Sequence, residues 1–217
     1  MDLSVPTSLG DSRLVVDEAA DARAVLWLGH GAGGGIGAAD LAALASRLPR
    51  LGITVVRYEQ LWRVAGRKVA PRPVALDAAW LETAPLVAEL AGGRPIIAGG
   101  RSAGARVACR TASAVHAVGV VCLAFPLHPP GRPEKSRLAE LLLPNLPVLV
   151  VQGDRDTFGS AALVADEVRG QAGIRVVEAG GADHGMRVRA SSPLDAEGVA
   201  TLVVGAVAEF VLGLVRT

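Results

Sequence analysis

Pro95-Ile96-Ile97-Ala98-Gly99-Gly100-Arg101-Ser102-Ala103-Gly104 runs from a short apolar stretch into a serine held between glycines, and Ala103–Ala112 follows with helical composition. The apolar part, Pro95–Gly99, reads as a strand covered on both faces of a parallel sheet. Gly100-Arg101-Ser102-Ala103-Gly104 fits Gly-x-Ser-x-Gly. Such spacing suits a serine on a sharp, strained strand-to-helix turn. Small residues two before and two after let neighbouring backbone come close and leave the hydroxyl exposed. A chain with 26 glycines offers many chances for the pattern. Its meaning therefore comes from the strand before it and the helix after it.

Outward from that turn, apolar runs alternate with helical segments. Strands are predicted at Arg13–Val16, Ala24–Leu28, Ile53–Arg57, Pro95–Gly99, Val118–Leu123, Val148–Gln152 and Arg175–Glu178. Helices are predicted at about Asp40–Leu48, Val74–Ala91, Ala103–Ala112, Ser160–Gly170 and Asp195–Val215. Strand and helix in alternation imply a doubly wound α/β fold, mostly parallel, with about seven or eight strands and helices on both faces. Residues 1–217 read as one domain without a large lid. Two Pro-, Gly- and Arg-rich segments, Tyr58–Pro73 and Ala124–Lys135, each follow a strand. Loops at the carboxyl ends of parallel strands build ligand sites, so these two are expected to wall the pocket.

A serine hydroxyl needs a base to take its proton, and the base needs an orienting acid. An elbow of this kind takes them in the order serine, acid, histidine. Gly153-Asp154-Arg155-Asp156 follows the strand Val148–Gln152, and Gly180-Gly181-Ala182-Asp183-His184-Gly185 follows Arg175–Glu178. Of the four histidines, His30 lies in an early glycine loop, His116 precedes a strand and His128 sits among prolines. Only His184 falls after the acid and before the last helix, so it is the expected base. Asp156 is favoured as the acid over Asp154, and over Asp183, whose side chain should diverge from its sequence neighbour; the others read as turn-stabilising residues.

Gly29-His30-Gly31-Ala32-Gly33-Gly34-Gly35 directly follows the strand Ala24–Leu28. Acyl transfer builds negative charge on a carbonyl oxygen, which preorganised N–H groups stabilise. The backbone N–H groups of Ala32 and Ala103 are assigned that role. The same loop also satisfies Gly-x-Gly-x-x-Gly, the dinucleotide fingerprint. That alternative wants an acidic residue ending the next strand; the chain has Arg57 there, which would have to read a 2′-phosphate. It would also leave Ser102, Asp156 and His184 without a purpose.

The balance of 22 basic against 21 acidic residues removes the electrostatic warrant for a nucleic-acid or membrane-surface partner. Cys109 and Cys122 are too few for a disulfide framework, so a reducing, cytoplasmic setting is expected. The N-terminus has neither a basic region nor an apolar core of the secretory kind. Glu209 interrupts the apolar C-terminal stretch, and Val199, Leu202, Val203, Ala206, Phe210 and Leu214 recur at helical spacing, so a packed terminal helix is expected. No metal-type spacing of Cys or His occurs, and no metal or cofactor is expected. Tyr58, Trp62, Phe125, Leu127, Phe158 and Met186 fall in loops near the site and are candidates for an apolar substrate pocket. Arg101 reads as a surface salt-bridge partner or as a reader of an acidic substrate group. The oligomeric state is not legible.

The ordered set Leu28–Gly34, Gly99–Gly104, Gln152–Asp156 and Asp183–Gly185 resembles the α/β-hydrolase superfamily across essentially the whole chain. Phe125-Pro126-Leu127-His128-Pro129-Pro130-Gly131-Arg132-Pro133 looks like its small dienelactone-hydrolase-like group, which includes the hydrolase-like domain of the NSL chromatin-complex subunit. The resemblance implies a sheet of the eight-stranded type. It implies Ser102, Asp156 and His184 as a triad, and cofactor-free hydrolysis of a small-molecule carboxylic ester or thioester. Some relatives in that group serve as binding domains, so a non-catalytic module is the rival expectation.

Overall fold

The computed structural model describes residues 1–215. Its strands are β1 (Asp2–Val5), β2 (Ser12–Asp17), β3 (Ala24–Gly29), β4 (Ile53–Glu59), β5 (Ile96–Arg101), β6 (Gly119–Leu123), β7 (Val148–Gly153) and β8 (Ile174–Ala179). They form one eight-stranded sheet in the order β1-β2-β4-β3-β5-β6-β7-β8. β3 to β8 are parallel, while β1 and β2 are added antiparallel at the β4 edge. This is the mostly parallel α/β sheet expected from the sequence. The strand not foreseen is β1, which pairs with β2 at the sheet margin.

The helices are α1 (Ala39–Arg47), α2 (Leu61–Val64), α3 (Pro73–Ala91), α4 (Ala103–Thr111), α5 (Leu138–Leu141), α6 (Ala161–Glu167) and α7 (Ala196–Leu214). They cover both sheet faces, which is why β3, β6 and β7 are buried along their whole length. Alternate residues of β3 serve opposite cores. Ala24, Leu26 and Leu28 pack with α1 and α7, whereas Val25 and Trp27 pack with α3 and α4. Trp27 stacks on Trp80 of α3, with centroids 3.6 Å apart.

The last helix, α7, is long and apolar enough to span a bilayer by length and composition alone. It buries Val199, Val203, Val207 and Val211 at steps of four against the second core, and its N-terminus is capped by Asp195, which accepts from Gly198 N–H at 2.7 Å.

After β3 the chain builds β4 on one side, then returns to place β5 on the other. The sheet order thus reverses between β3 and β5. At such a switch point the loops leaving the strands' carboxyl ends diverge and open a crevice. The glycine loop after β3 and the serine turn after β5 both lie there.

Candidate active site

Ser102 has φ 52° and ψ −109°, a conformation that L residues rarely adopt. Three close approaches enforce it. A Cβ built on Gly100 would lie 2.5 Å from the Gly29 carbonyl oxygen, and one on Gly104 would lie 2.3 Å from the same atom. Gly29 in turn has Gly104 Cα 3.3 Å from where its own Cβ would stand. The Gly-x-Ser-x-Gly motif therefore seats α4 directly on the end of β3, and Gly29 is the third member of the contact. Ser102 N–H donates to Leu123 O at 2.9 Å, which fastens the turn to β6.

Two distant loops meet at this turn. His184 Nε2 lies 3.0 Å from Ser102 Oγ, and His184 Nδ1 lies 2.8 Å from Asp156 Oδ2. A carboxylate only accepts, so Nδ1 carries the proton and Nε2 presents its lone pair to the serine hydroxyl. Asp156 is buried and further held: Oδ1 accepts from Phe158 N–H at 2.8 Å, and Oδ2 lies 3.0 Å from Gln152 Nε2. That amide also reaches Phe125 O and Gly159 O. Gln152, on β7, is a residue that sequence reasoning missed, because a buried polar side chain in an apolar run does not announce its partner.

Of the other acids, Asp154 ties its loop to the histidine loop, contrary to the turn-stabilising role expected of it, and Asp183 closes a local turn. Asp154 accepts from Gly181 N–H at 2.7 Å, and Asp183 accepts from Gly185 and Arg187 N–H at 2.7 and 3.0 Å. His128 contacts Pro129 O, and His116 is an exposed residue with φ 53°.

His30 has a structural task. Its ring is fully buried, with Nδ1 2.9 Å from Gly31 O and Nε2 3.1 Å from Gln60 N. The carbonyl can only accept and the amide only donates, so the ring is the neutral Nδ1–H tautomer. Gln60 Nε2 returns a bond to His30 O at 2.7 Å, and Arg57 donates to Ile36 O while pairing with Asp17 at 3.1 Å. These contacts tie the glycine loop to β4, and they occupy the guanidinium that a 2′-phosphate would need. Burial holds the His30 imidazole below its ordinary 6.5, against a weaker opposing pull from the Gly31 carbonyl. The unfolded chain therefore binds this proton more readily than the folded one, and stability should fall as pH drops below 6.5. Urea unfolding across that range should show the loss, with a shallower pH slope in His30→Gln; an equal slope would assign the dependence elsewhere.

The two expected oxyanion donors come from separate elements, Ala32 from the glycine loop after β3 and Ala103 from α4. Ala32 lines the same cleft as Ser102. Ala103 is the first residue of α4, where an N–H has no intrahelical acceptor. Gly31 adds close packing: its Cβ would stand 3.3 Å from Ser102 Cβ.

The cleft over Ser102 and His184 has a volume of about 730 Å³ and is walled mainly by backbone of the loop from Gly31 to Ala39. The apolar pocket expected from the sequence is not what lines it. Tyr58, Trp62, Phe125, Leu127 and Met186 are all buried in the two cores, because their large apolar surfaces gain more from packing than from facing an open cleft. Phe158 stacks on the His184 ring, centroids 4.1 Å apart, and so supports the imidazole instead of walling the cleft. Burial pushes the Tyr58 phenol up to about 12, and the hydroxyl bonds to Ser12 at 2.9 Å. Of the two wall segments, Tyr58–Pro73 contributes Glu59 and Arg63, while Ala124–Lys135 contributes nothing.

Arg101 is more buried than a surface pair. It bonds Asp40 of α1 at 3.0 Å, with Asp40 only 1% exposed, and also donates to the His184 carbonyl. One guanidinium thus links the serine turn, α1 and the histidine loop. Among the described residues, no group of three or more His, Cys, Asp or Glu side chains is arranged to hold a metal ion. The thiols of Cys109 and Cys122 lie 3.5 Å apart in the core, away from the cleft.

Residues 22–212 match the family described as the alpha/beta hydrolase domain. An alpha-beta serine hydrolase homologue from Coxiella burnetii shares 18% identity over 100% of this chain and 96% of its own, with a TM-score of 0.71. A Xanthomonas campestris protein described as an a/b serine hydrolase without lid shares 19% over 97% of this chain and 94% of its own, at 0.75. Esterase 2 of Thermogutta terrifontis, solved phosphonylated by cyclosarin, shares 16% over 99% and 94%, at 0.69. At these identities the structural likeness speaks for the fold, and the matched family covers most of the sequence. The chain belongs to the α/β-hydrolase domain family.

Proposed function

We propose that this chain is a serine hydrolase of small carboxylic esters or thioesters, working through an acyl-enzyme. The observation that carries the reading is the continuous line of contacts from Asp156 Oδ2 to His184 Nδ1 at 2.8 Å and from His184 Nε2 to Ser102 Oγ at 3.0 Å, both Ser102 and His184 lining one open cleft. Ser102 Oγ attacks the acyl carbon as its proton passes to His184 Nε2. Asp156 holds the tautomer and stabilises the imidazolium that forms. The N–H groups of Ala32 and Ala103 receive the developing oxyanion. Collapse of the tetrahedral intermediate expels the alcohol or thiol, protonated by His184. Water then attacks the acyl group with the same base and regenerates Ser102.

The test is covalent capture. A fluorophosphonate should add one phosphonyl group, lose fluoride and leave a single adduct at Ser102, located by peptide mass spectrometry. His184→Ala should react far more slowly. Absence of an adduct at Ser102 in folded protein would refute the mechanism and favour a binding module on this fold. The phosphonylation of the Thermogutta esterase makes this reagent class a natural choice.

A further inference from the structure

Charge in the cleft is unbalanced. Glu59, Arg63, Arg101 and Arg187 line it together with Ser102 and His184. Arg101 is paired with Asp40, and Glu59 with Arg13 at 2.6 Å. Arg63 and Arg187 have no carboxylate partner among the described residues. Arg63 lies over the Trp62 ring at 5.6 Å, and Arg187 rests its methylenes near Gly185. The cleft that holds Ser102 is therefore also lined by two arginines without a carboxylate partner, in a chain whose overall formal charge is only +1. Around them the glycine loop supplies mostly backbone, with Ile36 its large side chain: a Cβ at Gly33, Gly34 or Gly37 would meet nothing within 4 Å. The loop N–H groups of Gly33, Gly35, Ile36 and Gly37 have no acceptor among the described residues. Unpaired loop N–H groups offer an anion further partners alongside the two guanidinium groups.

We propose that Arg63 and Arg187 select esters carrying a second, anionic group, a carboxylate or a phosphate, a few bonds from the scissile carbonyl. The inference rests on the hydrolase reading, and the shared chemistry is the anion, on the acyl or the alcohol side. Two chromogenic pairs distinguish the sides. In the first, 4-nitrophenyl hemiglutarate is compared with 4-nitrophenyl pentanoate. In the second, the pentanoyl ester of 3-hydroxy-4-nitrobenzoate is compared with 2-nitrophenyl pentanoate. In at least one pair kcat/KM should favour the anionic member by about tenfold. That ratio should shrink at high salt, because both guanidinium groups are exposed. It should fall about tenfold when Arg63→Gln and Arg187→Gln are combined. Ratios near unity in both pairs, or ratios that the double variant leaves unchanged, would overturn the proposal.

A binding measurement separates this failure from failure of the hydrolase reading. Glutarate should bind the Ser102→Ala protein by calorimetry at low salt, and binding should weaken about tenfold when both arginines are also replaced. Glutarate binding that is absent, or that survives loss of both arginines, overturns the anion proposal whatever the catalytic result.

Discussion

Ser102→Ala should lower turnover of any ester the wild-type protein cleaves by a factor on the order of 10⁴ to 10⁶. His184→Ala should cost about as much, because a serine hydroxyl 3.0 Å from an imidazole is a poor nucleophile once that imidazole is gone. The sharper expectation concerns the double variant. If the two groups act as one unit, removing both should cost no more than removing either, since the second deletion has no function left to remove. Multiplicative losses would mean that the two residues act in separate steps, which the geometry does not support. Asp156→Asn should fall by about 10⁴-fold, because an amide that offers its NH2 to Nδ1 favours the wrong tautomer. Gln152 sharpens this last case. Its Nε2 is 3.0 Å from Asp156 Oδ2, the same oxygen that meets His184 Nδ1, while Oδ1 accepts from Phe158 N–H, so an asparagine at 156 sets its NH2 against a backbone or side-chain donor in either orientation. Steady-state rates on one chromogenic ester, with circular dichroism to establish folding, decide all four variants.

How much of this could be read in the chain depends on which interactions leave a one-dimensional trace. Val148–Gln152 and Val118–Leu123 are legible as strands because burial on both faces demands a near-continuous apolar run. Ser102, Asp156 and His184 are legible because loops at the carboxyl ends of parallel strands share one rim. Asp2–Val5 is not, since a four-residue edge strand with one buried side chain has almost no pattern to detect. The pocket residues were misjudged for a related reason. Sequence position puts Tyr58, Trp62 and Phe125 in or beside loops near the rim, but it does not say which way a side chain turns, and the apolar ones turned inward. What remained in the cleft were the charged residues of that neighbourhood, Glu59 and Arg63, along with Arg187 from the histidine loop. Gly29 was hidden differently: it is legible as the opening of a glycine loop, but its need for no side chain appears only when α4 is seated on it.

That seat leads to the largest expected effect on folding. In Gly104→Ala the new methyl would sit 2.3 Å from Gly29 O and 2.4 Å from Gly29 C, and both are backbone atoms that no rotamer change can move. Relief requires α4 to lift from β3 or the end of β3 to shift. Either motion drags Ser102, which is fixed to β6 through the Leu123 carbonyl. Overpacking of this kind typically costs about 1–3 kcal/mol and more where backbone must move, a large share of the roughly 5–15 kcal/mol that a folded domain has in total. Gly104→Ala should therefore unfold at markedly lower urea or temperature and lose phosphonate labelling at Ser102 even where it stays folded. Gly205→Ala provides the contrast: it lies within α7, with nothing within 4 Å of the added carbon. There the methyl replaces glycine's backbone entropy at no steric cost, and stability should rise by about 0.5–1 kcal/mol. Equal unfolding midpoints for the two variants would mean that the contact between Gly104 and Gly29 does not hold the serine turn in its strained conformation.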